Sequence, residues 1–325
     1  MKKIFIALSV AVFSTITFST EGPLKKVFVS QVVEHPALDV TTKGIIDGLE
    51  KNGFKRGVNL ELRVESAQAN AALACQIASK FINQNPSVVV GVGTLSAQSF
   101  AKYAQANRLK LVFSSITDPL GASLVKSLNT PENHTSGVSN FVELSSQLIL
   151  FQKLQPRLKR LGILYNPGEM NSISLVKKLE DLIPKFGITL IKQSATKTAD
   201  VAQAATKLAG QVDAIFISND NTALGALHSI IRAANKEKIP VYVSDTDAVQ
   251  LGALAALGPN QYEVGLQTGN MIARVLKGQE VGKIPVEFPQ KTDLYLNEDA
   301  ARLVGLFLPT DLKAQATKII GNNPS

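Results

Sequence analysis

The chain has 325 residues, of which 45% are hydrophobic and 18% charged, and its formal net charge is +8. This length suits two domains, and the composition is that of an ordinary globular protein. The lysines and arginines are scattered along the chain, without a helix-turn-helix motif or an arginine-rich run. The positive charge therefore indicates a solvated basic surface, and we expect no nucleic-acid partner.

Residues 1–19 have the pattern of a secretory signal peptide. Two lysines precede an apolar run, Ile4 to Phe13, that is too short to span a bilayer stably. We expect cleavage at Thr20, which lowers the formal charge from +8 to +6; an uncleaved anchor is the alternative. No cysteine lies near this point, so no lipid anchor is expected. The single cysteine, Cys75, falls in a predicted helix and is expected in the core, and an exported chain without an internal disulfide fits a bacterial periplasm.

From residue 24, short β-branched runs alternate with longer helical runs. The first four predicted strands are nearly continuous in apolar residues, which is typical of parallel strands covered on both faces: 27–32, 60–65, 87–93 and 109–115. The helices predicted after the first three are 39–52, 71–84 and 96–106. A segment rich in turn formers, 129–141, follows and indicates a crossing to a second domain.

A second round of the same alternation begins after this segment. Its predicted strands are 160–166, 188–193, 212–218 and 239–244, with helices at 172–186, 198–208 and 221–234. The repetition predicts an α/β protein of two doubly wound parallel-sheet lobes. The tail adds a strand at 252–257, a helix at 263–277 and late strands at 285–289 and 293–297. Periodicity leaves open which lobe these tail elements complete.

Polar residues follow almost every predicted strand, at the sheet edge where ligands of open parallel sheets bind. After the third strand, Gly93 and Ser96 flank a helix start, where free N–H groups and the helix dipole attract an anion; Ser96 is equally a plain N-cap. Asp245 and Asp247 follow the strand 239–244. Such a pair of acids has three interpretations: a catalytic dyad, a metal site or a clamp for a cationic ligand.

The sequence argues against catalysis and metal binding. None of the three histidines has a partner at metal-ligand spacing, and no nucleophile elbow, dinucleotide fingerprint or phosphate loop is present. Asp220 and Asp245 are acids without an accompanying nucleophile. We therefore expect a binding protein and no enzyme, with no cofactor and no metal. An anion site at Ser96 and acids at Asp220 and Asp245 suit a zwitterion, whose buried ammonium needs a carboxylate partner. The provisional assignment is that Asp245 holds the amine.

Several motifs, in order along residues 26–305, resemble one known family. They are VEHPALD, DGLEKNGF, VGVGTLSAQ, FSSITDPLGASLV, LGILYNPGEMNS, VDAIFISNDNTALGAL, IPVYVSDTDAVQLGALAALGPNQYEVGLQTGNM and VLKGQ. The family is that of bacterial ABC-transporter substrate-binding proteins of the tryptophan/tyrosine-binding type, which have a type I periplasmic-binding fold.

The resemblance implies two lobes that are joined by a three-stranded hinge and close over a ligand. By this analogy the chain crosses near residue 140, returns near 246 and crosses again near 284. Lobe 1 is then expected to comprise 24–140 and 247–284, and lobe 2 to comprise 141–246 and 285–325.

The resemblance also assigns roles to residues at the strand ends. The ligand's carboxylate is expected at Thr94, Ser96, Ala97, Ser115 and Thr117, and its ammonium at Asp245. The contribution of the second lobe is expected from Asn166, Glu169, Asn171, Asp220 and Asn221. Around an aromatic ligand, the candidates are His35, Phe141, Tyr165 and Tyr262. Asp118 before Pro119 fits a structural turn, and Asp247 is either a cap or a ligand contact.

The function implied is that of a monomeric periplasmic receptor, which binds an amino acid, aromatic in relatives of known ligand, and delivers it to an ABC permease in the inner membrane. Two alternatives stay open: a sensory module that docks on a membrane receptor, and a binder of another small solute such as a nucleoside. A neighbouring pair of permease and ATPase genes favours transport, whereas a neighbouring kinase gene favours sensing. Turnover of a ligand would instead indicate an enzyme that uses Asp220 and Asp245.

Overall fold

The computed structural model describes residues 23–107 and 109–321, and they form two α/β lobes. The predicted signal peptide, residues 1–19, lies outside the described residues. Five strands form the first sheet: β1 (Lys25–Gln31), β2 (Leu60–Ser66), β3 (Val88–Val92), β4 (Leu111–Ile116) and β5 (Thr135–Ser139). Seven form the second: β6 (Arg160–Tyr165), β7 (Thr189–Ser194), β8 (Ala214–Ile217), β9 (Val241–Val243), β10 (Ala255–Pro259), β11 (Thr292–Asn297) and β12 (Lys318–Ile320).

Helices cover both sheets. The first lobe carries α1 (Pro36–Lys51), α2 (Ala71–Ile82), α3 (Thr94–Asn107) and α9 (Gln261–Leu276). The second carries α4 (Leu144–Leu154), α5 (Met170–Leu182), α6 (Val201–Ala209), α7 (Asn221–Leu224), α8 (Leu227–Lys236), α10 (Glu298–Leu303) and α11 (Thr310–Gln315). Short 3₁₀ helices lie at 183–186, 198–200, 246–251 and 281–283. None of the helices within the described ranges is long and apolar enough to cross a membrane.

The order of the strands confirms the predicted fold class. The first sheet runs β2-β1-β3-β4-β5 and is parallel throughout. The second runs β12-β11-β10-β9-β8-β6-β7, and its neighbours are parallel except for the antiparallel pair β10–β11. Its central strands β8 and β9 are fully buried, as their unbroken apolar sequences require.

The structure corrects the predicted crossings between the lobes. The return at residue 246 is wrong, because β10 pairs with β9 and β11 and so belongs to the second sheet. The chain returns only at Asn260, immediately before α9. The last crossing also comes later than residue 284: Glu287 N–H donates to Gly137 O at 3.0 Å, beside β5. Residues 285–289 make one isolated bridge there instead of the predicted strand.

Some local predictions were also wrong. Helix α1 begins at Pro36 instead of residue 39, and α3 begins at Thr94 instead of Ser96. The single helix predicted at 221–234 is two helices, α7 and α8. Cys75 is exposed on α2, so it is not a core residue. The errors concern where helices begin and end and whether Cys75 points to the core or to solvent. Helix ends are where hydrophobic periodicity carries the least information.

Helix α9 belongs to the first lobe because glycines let it lie directly on α1. A Cβ added to Gly265 would lie 2.1 Å from Thr41 O, and one added to Gly44 would lie 2.3 Å from Tyr262 O. Gly48 and Gly269 form a second such contact one turn further along. Backbone therefore packs on backbone, and the beginnings of the two helices are brought together at one end of the lobe.

Candidate functional site

A cavity lies between the lobes, at the carboxyl ends of both sheets. From the first lobe it is lined by His35, Ala37, Leu38, Gly93, Thr94, Ser115, Thr117 and Asn140, and from the returning helix by Gln261. From the second lobe it is lined by Asn171, Asn219, Asn221, Leu224 and Asp245. This is the place in open α/β sheets where ligands bind, and helix N-termini with free N–H groups follow the strands at this end.

The first-lobe wall is built from the beginnings of three long helices. Ala37 and Leu38 lie in the first turn of α1, Thr94 begins α3 and Gln261 begins α9. The N–H groups of a first turn have no partner inside the helix, and the dipole adds partial positive charge. Gly93 precedes α3 with φ +87°, a conformation that favours glycine, and the chain turns there into the helix. This wall is suited to an anion such as a carboxylate.

Asp245 supplies an acidic side chain on the opposite wall. It follows β9, which lies inside the second sheet, and it is 4% exposed. Its Oδ1 accepts from Asp247 N–H at 3.1 Å, and no cation of the described residues pairs with it. Burial, and then the charge of Asp247, raise the pKa of Asp245 to about 7. Such a buried carboxyl without a cationic partner has the chemistry to pair with an ammonium group.

The other predicted acids lie behind the cavity wall and are already hydrogen-bonded. Asp220 accepts from Asn166 N–H at 2.6 Å, Ser172 Oγ at 2.5 Å and Ala223 N–H at 2.7 Å. Burial, and then the charge of Glu169, raise the pKa of Asp220. These bonds cap α7 and fix the loop after β6. Asp220 therefore has a structural role that leaves little capacity for a ligand.

The carboxylate of Glu169 is also occupied by hydrogen bonds within the second lobe. Its carboxylate accepts from Asn221 N–H and Thr222 N–H at 3.0 Å each, and from both of their side chains. Asn166 donates to Thr222 Oγ1 at 2.8 Å and accepts from Gly168 N–H. Glu169 thus holds the side-chain amides of both Asn171, at 3.2 Å, and Asn221, at 2.7 Å, and these two amides line the cavity.

His35 lines the cavity with an imidazole that is almost fully buried. Its Nε2 is buried without a hydrogen-bond partner. Burial lowers the pKa of His35, although the charge of Asp39, a hydrogen bond with Asn221 and the charge of Glu169 act in the opposite direction. At neutral pH the ring is therefore uncharged, and it offers a ligand both an aromatic face and an unused nitrogen.

Ser115 lies at the cavity in a strained backbone conformation. Its φ is +56°, at an irregularity in the pairing of β4 with β5 between Ser114 and Ile116. Its Oγ lies 3.4 Å from Thr41 Oγ1, which in turn donates to Gln261 Oε1 at 3.2 Å. The strand end, α1 and α9 are thereby connected, and such conformations often occur at ligand sites.

We expect Ser115→Gly to be more stable to unfolding than Ser115→Ala by about 1 kcal/mol, because a residue with a Cβ loses roughly that much in the left-handed region. The two variants both lack the hydroxyl, so its contacts cancel in the comparison. Urea denaturation measures the difference. An alanine variant as stable as the glycine variant would show that Ser115 is not strained.

The remaining predicted residues divide between the cavity and its surroundings. Thr94 and Thr117 line it. Ser96 is fully buried behind it and its Oγ accepts from Ser30 Oγ at 3.1 Å, while Ala97 packs in the core beside Phe113. Phe141 lies away from the cavity, with Lys178 Nζ 5.1 Å from its ring centroid. Two further aromatic candidates are also elsewhere: Tyr165 packs against the core of lobe 2, and Tyr262 donates to Asp47.

The sequence reading missed three polar residues that line the cavity: Asn140, Asn219 and Gln261. Asn219 directly precedes Asp220 in a loop that the sequence already marked, and Asn140 lies in the predicted first crossing. Gln261 was hidden by the misplaced second crossing. Within the described ranges, no group of three or more histidine, cysteine, aspartate or glutamate side chains is placed to hold a metal ion.

Comparison with known proteins agrees with this architecture. The family model described as ABC transporter substrate binding protein matches residues 26–320. A tyrosine-binding protein of Clostridioides difficile is 33% identical over 282 residues, which are 87% of this chain and 81% of the relative.

Two solved structures are similar over the whole described chain. An ABC domain from Streptococcus pneumonia in complex with L-Trp has 30% identity and a TM-score of 0.88, covering 91% of this chain and 100% of that one. The ligand-free, open structure of a substrate-binding protein from Clostridium difficile has 32% identity and a TM-score of 0.70, covering 92% and 100%. From the family match and these similarities, the chain belongs to the ABC transporter substrate-binding protein family, and its two lobes have the periplasmic-binding-protein fold.

Proposed function

We propose that the protein is the periplasmic receptor of an ABC importer and that it binds a free amino acid, preferably an aromatic one, between its lobes. The observation that carries this proposal is the pair of facing walls: helix beginnings at Ala37 and Thr94 on one lobe, and the unpaired, buried Asp245 on the other. An α-amino acid has a carboxylate for the first wall and an ammonium for the second.

The preference for an aromatic side chain is supported by the relatives rather than by an aromatic cage. Among the residues that line the cavity, none is Phe or Tyr. His35 supplies the aromatic face, and Leu38 and Leu224 supply apolar contact. The amides of Asn140 and Asn171 are available for a phenol or indole polar group.

Closure of the lobes around the ligand is supported by two observations. Contacts already cross the cleft: Asn219 Nδ2 donates to Thr117 Oγ1 at 3.3 Å. The overall arrangement is also more similar to the relative with bound L-Trp than to the ligand-free, open relative, although the two identities are nearly equal. A ligand that contacts both walls favours the closed arrangement by its differential affinity. The closed surface of a monomeric receptor would then be presented to the permease.

Calorimetry with amino acids and their truncated analogues tests this proposal. We expect L-tyrosine and L-tryptophan to bind, and tyramine and tryptamine, which lack the carboxylate, to bind at least about 100-fold more weakly. Analogues that lack the amine should be weakened similarly. Equal affinity for tyrosine and tyramine would contradict an anion site at the helix beginnings. Binding of a nucleoside, with no amino acid binding, would overturn the proposed ligand class.

A further inference from the structure

Two side chains of α5 contact a carboxylate of the other lobe. Ser174 Oγ donates to Asp118 Oδ2 at 2.5 Å, and Lys178 Nζ lies 3.4 Å from the same oxygen. Ser174 and Lys178 are four residues apart, so they lie on the same face of the helix. None of the three lines the ligand cavity. They form a contact between the lobes that is separate from the ligand site.

Asp118 is held in position by its own loop. Gly121 N–H donates to its Oδ1 at 2.9 Å, so this oxygen is committed to lobe 1 while Oδ2 faces α5. Burial acts to raise the pKa of Asp118, but the hydrogen bonds of Ser174 and Gly121 and the charge of Lys178 together hold it below its usual value. The carboxylate is therefore ionised at neutral pH. It needs no rearrangement to accept from the second lobe.

We propose that Asp118, Ser174 and Lys178 form an interlobe latch, which stabilises the closed arrangement and slows ligand release without contacting the ligand. The contact exists only when the lobes are together, so its free energy adds entirely to the closed state. An interaction that must break before the lobes separate lowers the dissociation rate and leaves the ligand's own contacts unchanged. The expected effect on ligand release rests on the proposed function, whereas the expected effect on the distance between the lobes does not.

Dissociation rates of L-tyrosine and L-tryptophan, measured by stopped flow, test the latch. We expect Asp118→Ala to dissociate roughly tenfold faster and Ser174→Ala roughly fivefold faster, since a hydrogen bond to a charged, partly buried group is lost. Lys178→Ala should have only about a twofold effect, because the lysine side chain is 45% exposed and water screens its charge. The double variant Asp118→Ala/Ser174→Ala should match Asp118→Ala alone, since the two substitutions remove the same bond.

Lys177→Ala is the matched control, because this lysine is exposed on the same helix beside Lys178. It should dissociate at the wild-type rate. A rate for Asp118→Ala within twofold of wild type would overturn the latch, as would full additivity of the two alanine substitutions.

A measurement without ligand separates the latch from the proposed ligand class. Cys75, exposed on lobe 1, and an introduced Lys207→Cys, exposed on lobe 2, carry spin labels that report the distance between the lobes. In the ligand-free protein, Asp118→Ala should shift the distribution away from the short, closed distances. An unchanged distribution would overturn the latch. If wild type binds neither amino acid, the proposed ligand class fails, and this measurement still decides on the latch.

Discussion

Replacing Asp245 by Asn is expected to weaken binding of an aromatic amino acid by roughly 100-fold or more. The substitution keeps the size of the side chain and removes its charge, which leaves a desolvated ammonium beside a neutral amide. Losing one member of a buried charge pair typically costs about 2–5 kcal/mol. Calorimetry at pH 8, where the wild-type carboxyl is ionised, gives the comparison.

The pH dependence provides a second readout of the same residue. The folded-state pKa of Asp245, about 7, lies above the ordinary value of 3.8. An ammonium ligand pairs with the ionised form, so wild-type affinity should rise by up to about tenfold per pH unit below pH 7 and level off above it. The empty protein has the opposite trend: the stability due to the neutral carboxyl is complete below pH 4 and is lost as pH rises through 7. Asp245→Asn should flatten both curves.

Asp247→Asn is the matched control, because Asp247 comes two residues after Asp245 in the sequence and does not line the cavity. It should bind within about threefold of wild type. The midpoint of its curve of affinity against pH should move to a slightly lower pH, since the charge of Asp247 helps to raise the pKa of Asp245. If Asp245→Asn binds as tightly as wild type at pH 8, the ammonium is held elsewhere.

The alternation of strands and helices was enough to predict the two lobes, but not where the chain passes between them. The run 252–257 is apolar and would suit either sheet. Its place is decided by antiparallel pairing with β11, about 35 residues later, which no local pattern reveals. Similarly, Pro285 and Pro289 lack the N–H that a regular strand needs, and this argues against the strand predicted there.

The sequence was enough to predict which residues lie at strand ends. It was not enough to predict whether each side chain faces the cavity or bonds to a neighbouring loop. Thr94, Ser115 and Asp245 all lie at the cavity, as their places after β3, at the end of β4 and after β9 indicated. Asp220 and Glu169 looked equally available in the sequence. Their carboxylates are occupied by N–H groups and hydroxyls of neighbouring loops, and such partners depend on the folded backbone. That Asp245 binds the ligand stays a prediction.

The packing of α9 on α1 leads to the largest expected effect on stability. A Cβ at position 265 would lie 2.1 Å from a backbone oxygen, so Gly265→Ala must separate the two helices. We expect the free energy of unfolding to fall by about 2 kcal/mol for Ala and by more than 4 kcal/mol for Leu. The loss occurs even though alanine is the better helix former by about 1 kcal/mol. Urea denaturation measures the change.

Gly210→Ala is the matched control for this substitution. Gly210 has φ −71° at the end of α6, and no atom lies within 4 Å of an added Cβ, so the variant should be neutral or slightly stabilising. Gly44→Ala should not add fully to Gly265→Ala, because one separation of the helices relieves both contacts. A Gly265→Ala variant as stable as Gly210→Ala would contradict the close packing. Since α1 and α9 begin at the cavity, with Ala37 and Gln261, Gly265→Ala should also weaken ligand binding, whereas Gly210→Ala should leave it unchanged.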